Sequence, residues 1–316
     1  MQDIQAKPVV SIIINCFNGQ QYLRQAIDSV LSQTYKNWEI IFWDNASTDK
    51  SPDIVKEYGN KKIHYFKSEK TCSLGEARNL ALKNADGKYI AFLDCDDIWL
   101  PEKLEKQISI FSKDPDIGLV FSDALYFNDK GKSFRLYGKK KPPEGYVFRQ
   151  LLTKNFLCLS SVMMKKEALL NLAGWFDARF SCIEDMDLFL RIAHDWKLSC
   201  ADGVLIKYRM HQKSWTYTHQ SSFPEEQELL IEKLSSLYSN LSQEYRDELR
   251  AIQMRIGYEK FALFWKAHDE KRARRELRPF LLADKRLFLP YLISYFLPFV
   301  FFGFLIGIFR EKTYSA

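Results

Sequence analysis

Paired cysteines are missing from this chain. Its six cysteines, Cys16, Cys72, Cys95, Cys158, Cys182 and Cys200, are scattered, and none stands in C-x-x-C spacing. That argues against a zinc site. It also argues against a disulfide framework in a chain of 316 residues. No G-x-G-x-x-G follows the first apolar run, which disfavours a dinucleotide-binding Rossmann protein. The loop after that run, "NCFNGQQYL", holds one glycine and no lysine. A sugar nucleotidyltransferase would be expected to carry a glycine-rich, basic loop there. Internal repeats are absent. The N-terminal "MQDIQAKPVV" has no basic stretch followed by an apolar one, so no secretory signal is read and a reducing cytoplasm is expected. The net charge of +6 is mild. It suits an anionic substrate or a lipid surface, and gives nucleic-acid binding no specific support.

What is present is a globular composition, 47% hydrophobic and 15% aromatic. "VVSIII", Val9–Ile14, is a continuous β-branched run, as in a strand buried on both faces. Gln21–Gln33 follows with helical spacing, placing Leu23, Ala26, Ile27, Val30 and Leu31 on one face. "WEIIFW" predicts a second strand. A helix follows it, with Ser51 as N-cap before Pro52. "KIHYFK", "GEARNLALKNA" and "KYIAFL" continue the alternation. That pace argues for βαβ units and a parallel sheet, whose ligands sit outside the carboxyl ends of the strands. The loops after those ends carry Asn15–Asn18, Asp44–Asp49 and Asp94–Asp97. Further on, the sequence predicts a helix at Glu102–Phe111, a hairpin within "YFNDKGKSFRLYGKKKPPEG", a helix at Glu184–Trp196 and a strand at "GVLIKYRMH".

Three acids close the fourth strand, in "YIAFLDCDDIWLPEKL". Like charges that close repel, and each resists desolvation. A divalent cation would cancel the charge. Hard oxygen donors suit Mg²⁺ or Mn²⁺, which bind phosphate oxygens in turn. The competing reading is a solvated turn in which Asp96 or Asp97 caps the next helix.

The first ~220 residues resemble a family 2 glycosyltransferase of the GT-A fold. The resemblance is carried by "VSIIINCFNGQQYLRQAIDSVLSQTYKNWEIIFWDNASTD", "LGEARNLAL", "YIAFLDCDDIWLPEKL", "EDMDLFLRIA" and "YRMHQKSWT", in family order. It implies an inverting transferase that uses a nucleotide-sugar donor, most simply a UDP-sugar, with Mn²⁺ or Mg²⁺. By resemblance, Asn15, Phe17, Asn18 and Asp44 hold base and ribose, and Arg78 approaches the nucleotide. Asp96 contacts the metal, and Asp94 contacts the ribose or the metal. Asp185 is the base that takes the acceptor proton, with Glu184 beside it as an orienting group. His211 reaches the metal or the diphosphate, and Arg209 assists the leaving group. The family often has a second acid where this chain has Asn45. Cys95 is expected to pack inward. For Glu184, Asp185 and Asp187 the bland alternative is an acid-rich helix start favoured by the dipole. For Asp44 it is an Asx-turn. Lys139–Pro143 and "SWTYTH" are candidate lids.

Beyond Phe223 the chain reads as charged helix up to about Arg278. Leu287–Phe309 then runs 23 residues without a charge, behind the basic "KRARRELRPF". A tilted span, a re-entrant hairpin, an interfacial helix and a buried oligomer helix all fit such a run, and membrane contact is the expectation. The expected organisation is an α/β GT-A catalytic domain over 1–222, with a mixed sheet flanked by helices. A helical extension over 223–286 and a membrane-associating tail over 287–316 follow. The expected function is transfer to a lipid-linked glycan acceptor at the cytoplasmic face of the inner membrane. The alternative is a membrane-tethered nucleotide-sugar or glycan binder without turnover.

Overall fold

A computed structural model describes residues 8–296. The chain divides into two compact units between Thr218 and His219. In the first unit the elements are β1 (Val10–Cys16), α1 (Leu23–Leu31), β2 (Trp38–Asp44), α2 (Ser51–Glu57), β3 (Ile63–Lys67), α3 (Leu74–Leu82), β4 (Tyr89–Phe92), β5 (Ile98–Trp99) and α4 (Lys103–Phe111). They continue with β6 (Ile117–Phe127), β7 (Ser133–Arg135), α5 (Phe148–Thr153), β8 (Met163–Lys165), α6 (Lys166–Leu170), α7 (Glu184–Asp195), β9 (Lys197–Arg209) and α8 (Trp215–Thr218).

The strands form one mixed sheet in the order β3-β2-β1-β4-β8-β6-β9-β5, with β7 hydrogen-bonded to β6. The β3-β2-β1-β4 part is parallel, and β8 enters antiparallel against β4 and β6. The apolar runs explain the centre of the sheet. Ile12, Ile14, Ile40, Phe42 and Ala91 are fully buried, and each large one contributes ~1.5–3 kcal/mol by leaving water. Covered on both faces, these strands need no polar alternation.

Two local expectations are corrected. Ser51 is the first residue of α2, not its N-cap. Its N–H donates to Asp49 Oδ1 (2.9 Å), and its hydroxyl accepts from Gly19 N–H (3.0 Å). The last strand begins at Lys197, six residues before Gly203, because β9 follows β6 through irregular register near Ser122 and Asp123.

The second unit contains α9 (Phe223–Leu237), α10 (Leu241–Glu244), α11 (Arg246–Lys266), α12 (Glu270–Leu277) and α13 (Phe288–Ile293). Phe261, Trp265, Ala273, Leu277, Leu281 and Leu287 form its core. Gly257 lets Phe280 lie against α11, since a Cβ there would meet the ring at 2.4 Å. Among the described residues no helix is long and apolar enough to cross a membrane. Residues 297–309 of the apolar run lie outside the described residues.

Candidate active site

The candidate residues gather along the carboxyl ends of β1, β2 and β4. Asn18 (φ 54°) and Ala46 (φ 61°) both take the left-handed conformation in the first two loops, which costs free energy for residues with a Cβ. Hydrogen bonds between the loops hold them there. Asn18 N–H donates to Ser47 Oγ (3.0 Å), and Thr48 N–H donates to Asn18 Oδ1 (2.8 Å). Asp44 is fully buried. Its Oδ1 accepts from Ser47 N–H (2.8 Å) and its Oδ2 from Tyr65 O–H (2.7 Å). The Asx-type turn is therefore present, and Asp44 shapes the loop. Asn45 braces the other side, exchanging two hydrogen bonds with the backbone of Cys72. Phe17 is 50% exposed. Asn15 Nδ2 is a buried donor without an acceptor among the described residues. An aromatic face and an open amide donor are what a nucleobase recognises.

The acids after β4 answer the question of charge separately. Asp94 Oδ1 accepts from Arg78 Nη2 (3.1 Å), and its N–H donates to Ser160 Oγ (3.1 Å). Asp96 Oδ2 lies 2.9 Å from His211 Nε2. Asp97 Oδ1 accepts from Arg209 N–H (2.9 Å), and burial holds its carboxyl well above the usual range. Cys95 lies inward as expected, beside Cys16 and beneath Gly19. A Cβ at Gly19 would meet both sulfurs at 2.8 Å.

Arg78 joins the two halves of the site. It is carried on α3, whose N-cap Ser73 accepts from Glu76 N–H. Burial works against its charge, and the Glu184, Asp94 and Asp185 carboxylates outweigh that. Its second nitrogen, Nη1, donates to Glu184 Oε1, and its guanidinium lies 5.4 Å from the Phe176 ring centre. Arg78 is thus an internal cross-link between the loop after β4 and the start of α7, and not a surface arginine. Glu184 Oε2 has no partner among the described residues.

Burial pushes Asp185 up to about 6, with Arg78 pulling down and Asp94 pushing further up. Burial likewise pushes Glu184 up to about 7, against Arg78. Asp185 Oδ1 accepts from its neighbour Met186 N–H (2.7 Å). A carboxylate with a pKa near the working pH is suited to general-base chemistry. Asp187 follows the bland alternative. It is buried and ion-paired with Arg191 one turn along α7 (2.7 Å).

Arg209 is built into the loops around Asp96. Its nitrogens donate to Asp96 O (3.0 Å), Asp129 Oδ1 (3.1 Å) and Gln25 Oε1 (2.7 Å). Its guanidinium lies 4.1 and 4.6 Å from the ring centres of Tyr22 and Phe127. With three of its five N–H groups engaged and 5% of its surface exposed, it clamps the loop of Asp96. Tyr22, Gln25, Asp129, Tyr65 and Ser160 were not singled out in the sequence. Each acts through a partner at least 21 positions away.

Two side chains at the strand ends suit a divalent cation. Asp96 and His211 are neighbours, neither is fully buried, and a carboxylate with an imidazole suits Mn²⁺. No group of three His, Cys, Asp or Glu side chains that could hold a metal occurs among the described residues. The residues fit a partial site, completed by oxygens of a ligand and water.

A mixed sheet in this order, with acids gathered at its strand ends, is the architecture of a glycosyltransferase of the GT-A fold. The chain belongs to glycosyl transferase family 2, whose sequence model matches residues 11–172. It is 35% identical over 212 residues to an uncharacterised glycosyltransferase of Methanocaldococcus jannaschii, covering 65% of this chain and 71% of that one. It is also 35% identical over 209 residues to the UDP-Glc:alpha-D-GlcNAc-diphosphoundecaprenol beta-1,3-glucosyltransferase WfgD of Escherichia coli, covering 65% and 79%. Among solved structures, S. aureus TarS 1-349 in complex with UDP-GlcNAc superposes with a TM-score of 0.68 at 18% identity, covering 88% of this chain and 82% of that one. The mannosyltransferase PcManGT of Pyrobaculum calidifontis, in complex with GDP-Man and Mn²⁺, gives 0.62 at 14% identity, covering 99% and 89%.

Proposed function

We propose that this enzyme is a metal-dependent inverting transferase. It moves a sugar from a UDP-sugar to a lipid-linked glycan acceptor, in cell-surface polysaccharide synthesis at the cytoplasmic face of the inner membrane. The observation that carries the chemistry is the chain Asp96···His211 and Asp94–Arg78–Glu184, with Asp185 next to Glu184. This supports reading Asp96 and His211 as a cation-binding pair and Asp185 as the base. Relatives support the finer terms. WfgD is named for a UDP-glucose donor and a diphosphoundecaprenol-linked acceptor, TarS was solved with UDP-GlcNAc, and PcManGT with Mn²⁺.

The steps follow from the residues. Phe17 and Asn15 take the base, on loops fixed by Asp44 and Asn18. Asp96 and His211 would hold the cation, which offsets diphosphate charge when bound. Asp185 accepts the proton of the acceptor hydroxyl as its oxygen bonds to C1 of the sugar. The bond from C1 to the diphosphate oxygen breaks on the opposite face, and inversion results. The transition state is oxocarbenium-like, as in glycoside hydrolysis. Arg78 holds Glu184 and Asp94 and keeps Asp185 from rising beyond use as a base at neutral pH.

The test is incubation with Mn²⁺, a panel of UDP-, GDP- and dTDP-sugars and undecaprenyl-diphosphate glycan acceptors, with products read by mass spectrometry. One UDP-sugar is expected to give an inverted product. Binding of donor with no product from any acceptor would favour the binding-protein reading instead.

A further inference from the structure

We infer that the second unit carries a docking surface for an anionic lipid bilayer, formed by the outer face of α12, the turn that follows and α13. This rests on the membrane term of the proposed function and not on its chemistry. Ala273 and Leu277 turn one face of α12 into the core of the unit. Lys271 and Arg275, one helical turn apart, are exposed on the outside, and Arg278 continues the stripe. Lys271, Arg275, Arg278 and Lys285 take part in no ion pair among the described residues. Asp284 does not offset them, because Arg286 occupies it with a two-nitrogen grip.

The stripe runs into apolar side chains that nothing in the described unit covers. Leu282 is 93% exposed, and Leu292 and Phe296 are also exposed. Arg274 fixes the two parts to each other. It donates to Ser294 O (2.9 Å), and its guanidinium lies 4.0 Å from the Tyr295 ring centre. Unpaired cations beside protruding leucine and aromatic side chains match a bilayer interface, where phosphate headgroups meet acyl chains. A water-soluble anion would satisfy the cations and leave Leu282 exposed.

The full chain is mixed with large vesicles of phosphatidylcholine, or of phosphatidylcholine with ~30% phosphatidylglycerol, and sedimented. Binding is expected to be at least tenfold tighter with phosphatidylglycerol and to weaken with salt. Roughly fivefold per basic residue near the surface gives about 100-fold loss for the combined Lys271→Gln, Arg275→Gln and Arg278→Gln variant. Leu282→Ser is expected to weaken binding to both vesicle types. Transfer to a water-soluble acceptor should be unchanged in both variants, which separates this surface from the catalytic reading. Equal binding to the two vesicle types overturns the inference, as does retention by the triple variant. Self-association that Leu282→Ser dissolves also overturns it, assigning the face to a second copy.

Discussion

Asp185→Asn should abolish transfer and stabilise the protein at the same time. Asn retains the oxygen that accepts from Met186 N–H and occupies nearly the same volume, so the change is one of charge. The carboxyl titrates near 3.8 when unfolded and about 6 when folded. Between those values the native state binds more protons than the unfolded state, so this group's contribution to stability falls as pH rises. About two pH units at ~1.4 kcal/mol each make the ionised side chain cost up to ~3 kcal/mol, fully expressed above pH 6. Asn escapes that cost. Thermal melts of the two proteins should agree near pH 4 and separate by several degrees at pH 8, with the variant higher. Transfer should meanwhile drop by a factor of ~10² or more. A variant that melts lower at pH 8 than wild type would refute the burial argument. Retained turnover would remove Asp185 from the mechanism.

The rate in wild type should fall as pH drops through about 6, because the base must be ionised; a pH profile of kcat checks this. Arg78→Lys keeps a charge but cannot grip Asp94 and Glu184 together, so the acid limb should move up by about one unit. Its melting temperature should also fall, as expected when a buried pair loses geometry. Arg209→Gln should cost about 2–4 kcal/mol by denaturant unfolding and raise the Mn²⁺ concentration needed for half-maximal rate. Arg209 hydrogen-bonds to none of Asp185, Glu184 and Arg78, so the pH limb should not move.

The centre of the sheet was readable because β1, β2 and β4 are continuous apolar runs, whose burial on both faces leaves a signature in any window. The insertion of β8 between β4 and β6 was not, since pairing across tens of residues leaves no local pattern. The start of β9 was hidden by its polar residues and by Gly203, which has φ 92°. In the site, the acids were visible as residue types at strand and helix ends. Their partners were not. Arg78 finds Glu184 across 106 positions, and Arg209 meets Asp129 across 80, in a turn the sequence marks as a hairpin without naming its partner. Ser51 illustrates the same limit. Its hydroxyl looked like a cap, but Gly19 of another loop claims it.

Asp96 and His211 are proposed to hold a divalent cation that receives the diphosphate of the donor. Calorimetric titration of UDP into the protein, with Mn²⁺ and then with excess chelator, tests it most directly. Mn²⁺ is expected to tighten UDP binding at least tenfold, and Asp96→Ala to remove this gain while leaving metal-free binding in place. UDP affinity that is the same with and without Mn²⁺, in wild type as in Asp96→Ala, would contradict it.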